Sequence, residues 1–128
     1  AVGQASTISG LHKIRSMYEV SSLATVYISK LLDFQNEMTK SVLRLKEGKE
    51  YYRNELKNLG YCSLPSQGNF IHVDFGEDAE KIHEILKNKV LYRENFDHPS
   101  LNGYSRFTVA PTDVMKKVID LIKEGFNV

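Results

Sequence analysis

Arg93 and Arg106 are the residues of this chain best suited to chemistry, and they stand among short apolar runs that follow Ser66-Gln67-Gly68-Asn69-Phe70. An arginine keeps its charge near neutral pH and offers a planar fork of donors that matches a carboxylate or a phosphate. Alternation along residues 105–110 sets Arg106, Thr108 and Ala110 on one side and Phe107 and Val109 on the other. If the two apolar residues join the core, Arg106 must look out of the opposite face. Arg93 ends a short run at 90–93 and can reach the same region. Taken singly, each is explained by a solvated arginine paired with an acid. Together, with the Asn69 amide nearby, they form a candidate anion clamp.

No catalytic set stands beside that clamp. Cys62 has no neighbours that would lower its thiol pKa, so a buried or half-buried thiol is expected rather than a nucleophile. His12, His72, His83 and His98 lack metal-ligand spacing. Ser66 lacks the G-x-S-x-G turn of a hydrolase, and the isolated Gly68, Gly76 and Gly103 fit no dinucleotide or phosphate loop. The anion site therefore serves chemistry located elsewhere.

The elements that must position these residues follow from periodicity. Ile8, Leu11, Ile14, Arg15 and Tyr18 predict a short helix over 7–18, with Thr7 or Ser9 as its cap. A second helix is predicted over about 21–32. Its Leu23, Ala24, Val26, Tyr27, Ile28, Leu31 and Leu32 cover most of its circumference, which implies either a central core helix or one whose second face another domain or subunit covers. Met38, Val42, Leu45, Tyr52, Leu56 and Leu59 mark a third helix, with Gly60 placed as a left-handed cap and Gly48 signalling a bend or a close contact. Beyond Gly60 the pattern changes to strands at 69–75, 90–93 and 105–110. Gly76-Glu77-Asp78 starts a helix whose Ala79, Ile82, Ile85 and Leu86 face inward, loop chemistry fills 94–104, and a last helix opens at Pro111-Thr112-Asp113 and ends at Gly125. The class is α+β, a small, mainly antiparallel sheet packed on helices and preceded by a long helical segment. Residues 1–34 form an N-terminal helical segment and 35–128 the domain proper.

Composition sets the outer bounds. With 128 residues, 41% hydrophobic and 26% charged, the chain can bury a core without metal or disulfide. A formal charge of +1 provides no field for nucleic acid or an anionic membrane, and no apolar run approaches the roughly 20 residues of a membrane span. The lone Cys62 points to a reducing, cytoplasmic setting. The first residues carry neither an initiator Met nor the regions of a signal peptide, so a fragment is expected.

Read in order, Lys13-Ile14-Arg15, Tyr18-Glu19-Val20-Ser21-Ser22-Leu23-Ala24, Arg53-Asn54-Glu55-Leu56-Lys57-Asn58-Leu59-Gly60, Pro65-Ser66-Gln67-Gly68-Asn69-Phe70, Tyr92-Arg93 and Arg106-Phe107-Thr108-Val109 resemble the C-terminal domain of fold-type I pyridoxal-phosphate aminotransferases, nearest to the histidinol-phosphate aminotransferase group. The resemblance implies that Arg106 binds the substrate carboxylate or, with Arg93, a substrate phosphate, and that Asn69 lies close to the substrate pocket. The chain departs from the family pattern at Ala110-Pro111, where a Gly usually follows the arginine strand, and at Gln67-Gly68 in place of a small-residue pair. It also contains neither the Ser-x-x-Lys segment that carries the Schiff-base lysine nor the Arg-Gly-Tyr-like phrase after it, and none of its twelve lysines has that context.

The resemblance therefore implies a small domain of a larger enzyme, expected to begin just beyond the catalytic lysine and to be inactive alone. Pyridoxal phosphate would be bound by the full-length protein and not by this piece. The partners implied are a small anionic amino-acid substrate, the missing large domain of the same chain and, at full length, a second copy in a homodimer. Two alternatives stay open: the small domain of a decarboxylase acting on a phosphorylated amino acid, and a non-enzymatic regulatory or dimerisation module.

Overall fold

Antiparallel pairing of three strands organises the C-terminal part of the chain, and the residues that break the strand pattern decide what each face carries. The computed structural model describes residues 3–14 and 20–127. It divides into two compact units, Ala1–Met38 and Thr39–Val128.

The first unit holds α1 (Ala5–His12), α2 (Ser22–Leu31) and a single 3-10 turn, Leu32–Phe34. Helix α1 starts ahead of Thr7 and Ser9, so neither caps it; Gln4 stands at the cap position without a side-chain bond. The part of the predicted 7–18 helix that falls on 15–19 lies outside the described residues. Helix α2 begins where its cap predicts, with Ser21 Oγ accepting from Ala24 N at 3.1 Å. No residue of α2 is buried, and Leu23 remains 80% exposed. Among the described residues nothing closes this apolar circumference from solvent, and the expectation of a central core helix is not met there.

Helix α3 (Gln35–Asn58) runs from the first unit into the second and buries Gly48, Tyr52 and Leu56, four residues apart on one face. Gly60, at φ 90°, closes it as a left-handed cap, and Tyr61 N donates back to Leu56 O at 2.9 Å. Strands β1 (Cys62–Ser63), β2 (Phe70–Asp74) and β3 (Tyr104–Thr108) follow in the spatial order β1-β2-β3, all antiparallel. A 3-10 turn, Gly76–Asp78, leads into α4 (Ala79–Leu86), and α5 (Thr112–Phe126) ends the fold. One face of the sheet presents Ile71, Val73, Phe107 and Val109 to a core completed by Ile82 and Leu86 of α4, Met115, Ile119 and Ile122 of α5, and Tyr52 and Leu56 of α3. This is the α+β arrangement expected, with the opposite sheet face left for Phe70, His72, Tyr104 and Arg106.

Four details differ from the sequence reading. Residues 90–93 form no strand; they contribute one bridge, Arg93 to Arg106, and the fully exposed Leu91 shows that the run leaves the sheet before a ladder can form. Strand β1 was not anticipated, since two residues carry no periodicity. Cys62 is exposed rather than buried, because its register partner is Asp74 on the outward face of this edge strand. Gly125 lies inside α5, against the Ile85 side chain, and Asn127 at φ 57° supplies the left-handed ending.

Gly48 resolves as a close contact. A Cβ there would collide with the Ala110 carbonyl oxygen and lie 2.9 Å from the Pro111 carbonyl carbon, so α3 and the chain leaving β3 pack backbone to backbone. Helix propensity alone favours Ala over Gly by about 1 kcal/mol, whereas overpacking costs roughly 1–3 kcal/mol beyond that gain. Gly48→Ala is expected to destabilise the chain in urea unfolding; a stabilised variant would contradict the contact.

Candidate functional site

The site is built where the chain returns to the sheet edge at Arg93. Arg93 N donates to Arg106 O at 3.1 Å and Arg106 N to Arg93 O at 2.8 Å. Residues that exchange both backbone bonds stand directly opposite, so their side chains project from the same face. The segment is pinned on both sides of Arg93. Tyr92 stacks on Phe107 with ring centroids 4.4 Å apart and planes 9° from parallel, while its hydroxyl lies 2.6 Å from His83 Nδ1. The buried Ser105 donates its Oγ to the Glu94 carbonyl at 2.8 Å. With Tyr92 turned to the core, alternation turns Arg93 outward.

Phe96 sits beneath the two cations. Its ring centroid is 4.2 Å from the Arg93 guanidinium carbon and 5.9 Å from that of Arg106, which also lies 5.6 Å from the Phe70 ring. Among the described residues neither guanidinium pairs with a carboxylate; the hydrogen bond made by this pair of side chains runs from Arg93 Nε to the Asn95 carbonyl at 3.1 Å. Like charges on directly opposite strand positions destabilise a sheet, and among the described residues no carboxylate forms an ion pair with either of the two. An exposed Arg93 and a half-buried Arg106, both resting on aromatic faces with open donors, are arranged to take an anion between them.

His72 is the register partner of Arg106 on the other side of β3 and shares the face. Its pKa is held below 6.5, first by burial and then by the Arg106 charge.

Asn69 is placed differently. It is exposed, and it lines a cavity of about 440 Å³ between α3 and the 66–69 loop, together with Leu45, Lys49, Arg53 and Val109. Lys49 Nζ fastens that loop by donating to Ser66 O at 2.5 Å and Gly68 O at 2.8 Å. The structure therefore brings Arg93 and Arg106 together, and puts Asn69 on a concavity that neither arginine lines.

The family described as aminotransferase class I and II matches residues 1–122. The chain belongs to this aminotransferase family. A histidinol-phosphate aminotransferase of Citrifermentans bemidjiense is 26% identical over 125 residues, covering 97% of this chain and 36% of the relative. One from Clostridium botulinum is 28% identical over 134 residues, covering 99% of this chain and 37% of its own. In structure, histidinol-phosphate aminotransferase from Sinorhizobium meliloti, solved in complex with pyridoxal-5'-phosphate, matches with a TM-score of 0.73 at 22% identity, over 95% of this chain and 34% of that one. That likeness shows the fold. The chain spans little more than a third of the length of these relatives.

An aminotransferase cofactor needs a lysine amine for its aldehyde, a carboxylate for its pyridine nitrogen and donors for its phosphate. Lys49, half-buried in the α3 cavity, has its amine engaged by two carbonyls, and Glu50 beside it is turned to Arg53 at 3.4 Å. Among the described residues this set of groups for the cofactor is not brought together.

Sequence reasoning missed Phe96 and His72. Alternation did set His72 on the outward face of β2, but only the β2–β3 register makes it the neighbour of Arg106. In an NMR titration of the chain, His72 is expected to titrate below 6.5, and Arg106→Ala to move its midpoint upward. A midpoint at or above 6.5 that ignores the substitution would contradict this geometry.

Proposed function

We propose that this chain is part of a pyridoxal-phosphate-dependent aminotransferase of the histidinol-phosphate type, in which Arg93 and Arg106 hold the substrate's phosphate or carboxylate. The observation that carries the reading is the reciprocal backbone pair that sets the two side chains on one face, with neither guanidinium ion-paired to a carboxylate among the described residues. Arg106 and Arg93 supply the donors, the rings of Phe96 and Phe70 lie against them, and the substrate is oriented by its remote anion. Asn69, which lines the separate cavity beside α3 on the loop that Lys49 holds, is assigned to a part of the same substrate distant from the two arginines. Binding energy gained at the anion positions the reacting carbon for chemistry supplied by polypeptide beyond these 128 residues.

That remaining polypeptide, the larger share of a protein the length of the relatives, contributes the Schiff-base lysine and the cofactor site and covers the apolar surface of α2. The chain alone binds no cofactor and turns over no substrate, and the complete protein is a homodimer. The unpaired Cys62 supports a cytoplasmic, reducing setting, and no described helix is long and apolar enough to cross a membrane.

The test uses the complete protein with histidinol phosphate and 2-oxoglutarate. Turnover of the pair is expected, and release of carbon dioxide without amino transfer would instead identify a decarboxylase. Arg106→Ala is expected to raise KM and lower kcat/KM by roughly 10- to 100-fold, the equivalent of losing about 1.5–3 kcal/mol of charge-assisted hydrogen bonding, while cofactor absorbance stays intact. Loss of bound cofactor would contradict the role assigned to Arg106.

A further inference from the structure

His72, Arg106 and Arg93 occupy one row across three adjacent segments: His72 is the register partner of Arg106 on β2, and Arg93 is its partner on the other side. Adjacent positions in such a row are roughly 5 Å apart, so the three side chains border a patch about the size of one tetrahedral oxyanion and its donors. We propose that His72 is a third ligand of the anion held by the two arginines, binding in its protonated form, so that the grip on a doubly charged anion tightens as pH falls. This inference rests on the anion-binding reading above.

Two features separate His72 from an ordinary packed imidazole. Its ring is set by aromatic neighbours, Phe70 at 5.4 Å and 84° and Phe96 at 5.2 Å and 56°, and Phe96 is the ring that also carries Arg93 and Arg106. Among the described residues, neither of its ring nitrogens has a hydrogen-bond partner. By contrast, His83 Nδ1 meets the Tyr92 hydroxyl and His98 Nδ1 accepts from Ser100 N at 3.2 Å. A half-buried imidazole with both nitrogens open, beside two cations with open donors, has an anion as its natural complement.

The charges around it determine the sign of the pH dependence. Arg106 and Arg93 lie in its row, and Asp74 and Tyr104 take the next outward positions on β2 and β3. The segment that brings Phe96 also carries Glu94, Asp97 and His98. On the β1 side Leu64, whose N donates to the His72 carbonyl at 3.0 Å, adds no charge. Without an anion, burial and Arg106 disfavour the imidazolium. A dianion between the row's members reverses the Coulomb sign and raises the His72 midpoint. Affinity is then greatest below the free midpoint and falls as pH rises toward that of the complex.

Sulfate, doubly charged from pH 5 to 8, is the probe, with affinity measured by calorimetry and His72 followed by NMR in the 128-residue chain. Saturating sulfate is expected to raise the His72 midpoint, and sulfate affinity to fall by up to about tenfold for each pH unit of that rise. His72→Gln should remove the slope, and His72→Lys should restore tight binding without it. Sulfate binding that Arg106→Ala abolishes, but that leaves the wild-type His72 midpoint unmoved, would overturn the role of His72 and leave the arginine site standing. No sulfate binding, or binding indifferent to Arg106→Ala, would overturn both.

Discussion

Two backbone hydrogen bonds between Arg93 and Arg106 are the constraint on which the proposed anion site depends. They force a pair of like charges to share one face of a sheet at a position where side-chain energetics alone would separate them. The core supplies the restraint that keeps them there. Tyr92 is locked between Phe107 and His83, and Glu94 is tethered by the buried Ser105, so the residue between them has a single outward direction. A local electrostatic conflict maintained by well-satisfied packing is the pattern expected of a binding site rather than of a stabilising feature.

The rest of the second unit reads as support for that edge. Backbone contact at Gly48 brings α3 against the chain that leaves β3, and Lys49, the next residue, clips the loop that leads into β2. The Lys123–Glu55 pair at 2.5 Å ties α5 to the same helix, and its hydrogen bond holds the Glu55 carboxyl below its ordinary value. That contribution is complete above the usual glutamate range near 4.5 and is lost as pH falls through the lowered value. Both strands that present the site are therefore anchored to one long helix.

Much of this was legible in the sequence where periodicity is strong. Ile71, Val73 and Phe75 marked β2 and its inner face, Met115, Val118, Ile119 and Ile122 marked α5, and Phe107 with Val109 correctly implied an outward Arg106. Short or irregular segments were not. Residues 90–93 looked like a strand because Val90 and Tyr92 alternate, yet only Arg93 reaches the ladder. Gly125 suggested an ending, but its missing side chain serves packing against Ile85, and Asn127 adopts the turn. The convergence on Phe96 depends on register and on a loop path, neither of which local pattern encodes. The ordered landmarks from residue 13 to residue 109 did lead to the aminotransferase family, and the exposed α2 shows that this fold's first unit does not bury its own apolar surface.

The most direct test of the account is a crystal structure of the chain grown with inorganic phosphate. The expected result is a tetrahedral anion bridging the guanidinium groups of Arg93 and Arg106 at hydrogen-bonding distances of roughly 2.7–2.9 Å. Guanidinium groups paired instead with the chain's own carboxylates, or phosphate seated only against Lys49 and Arg53, would contradict it.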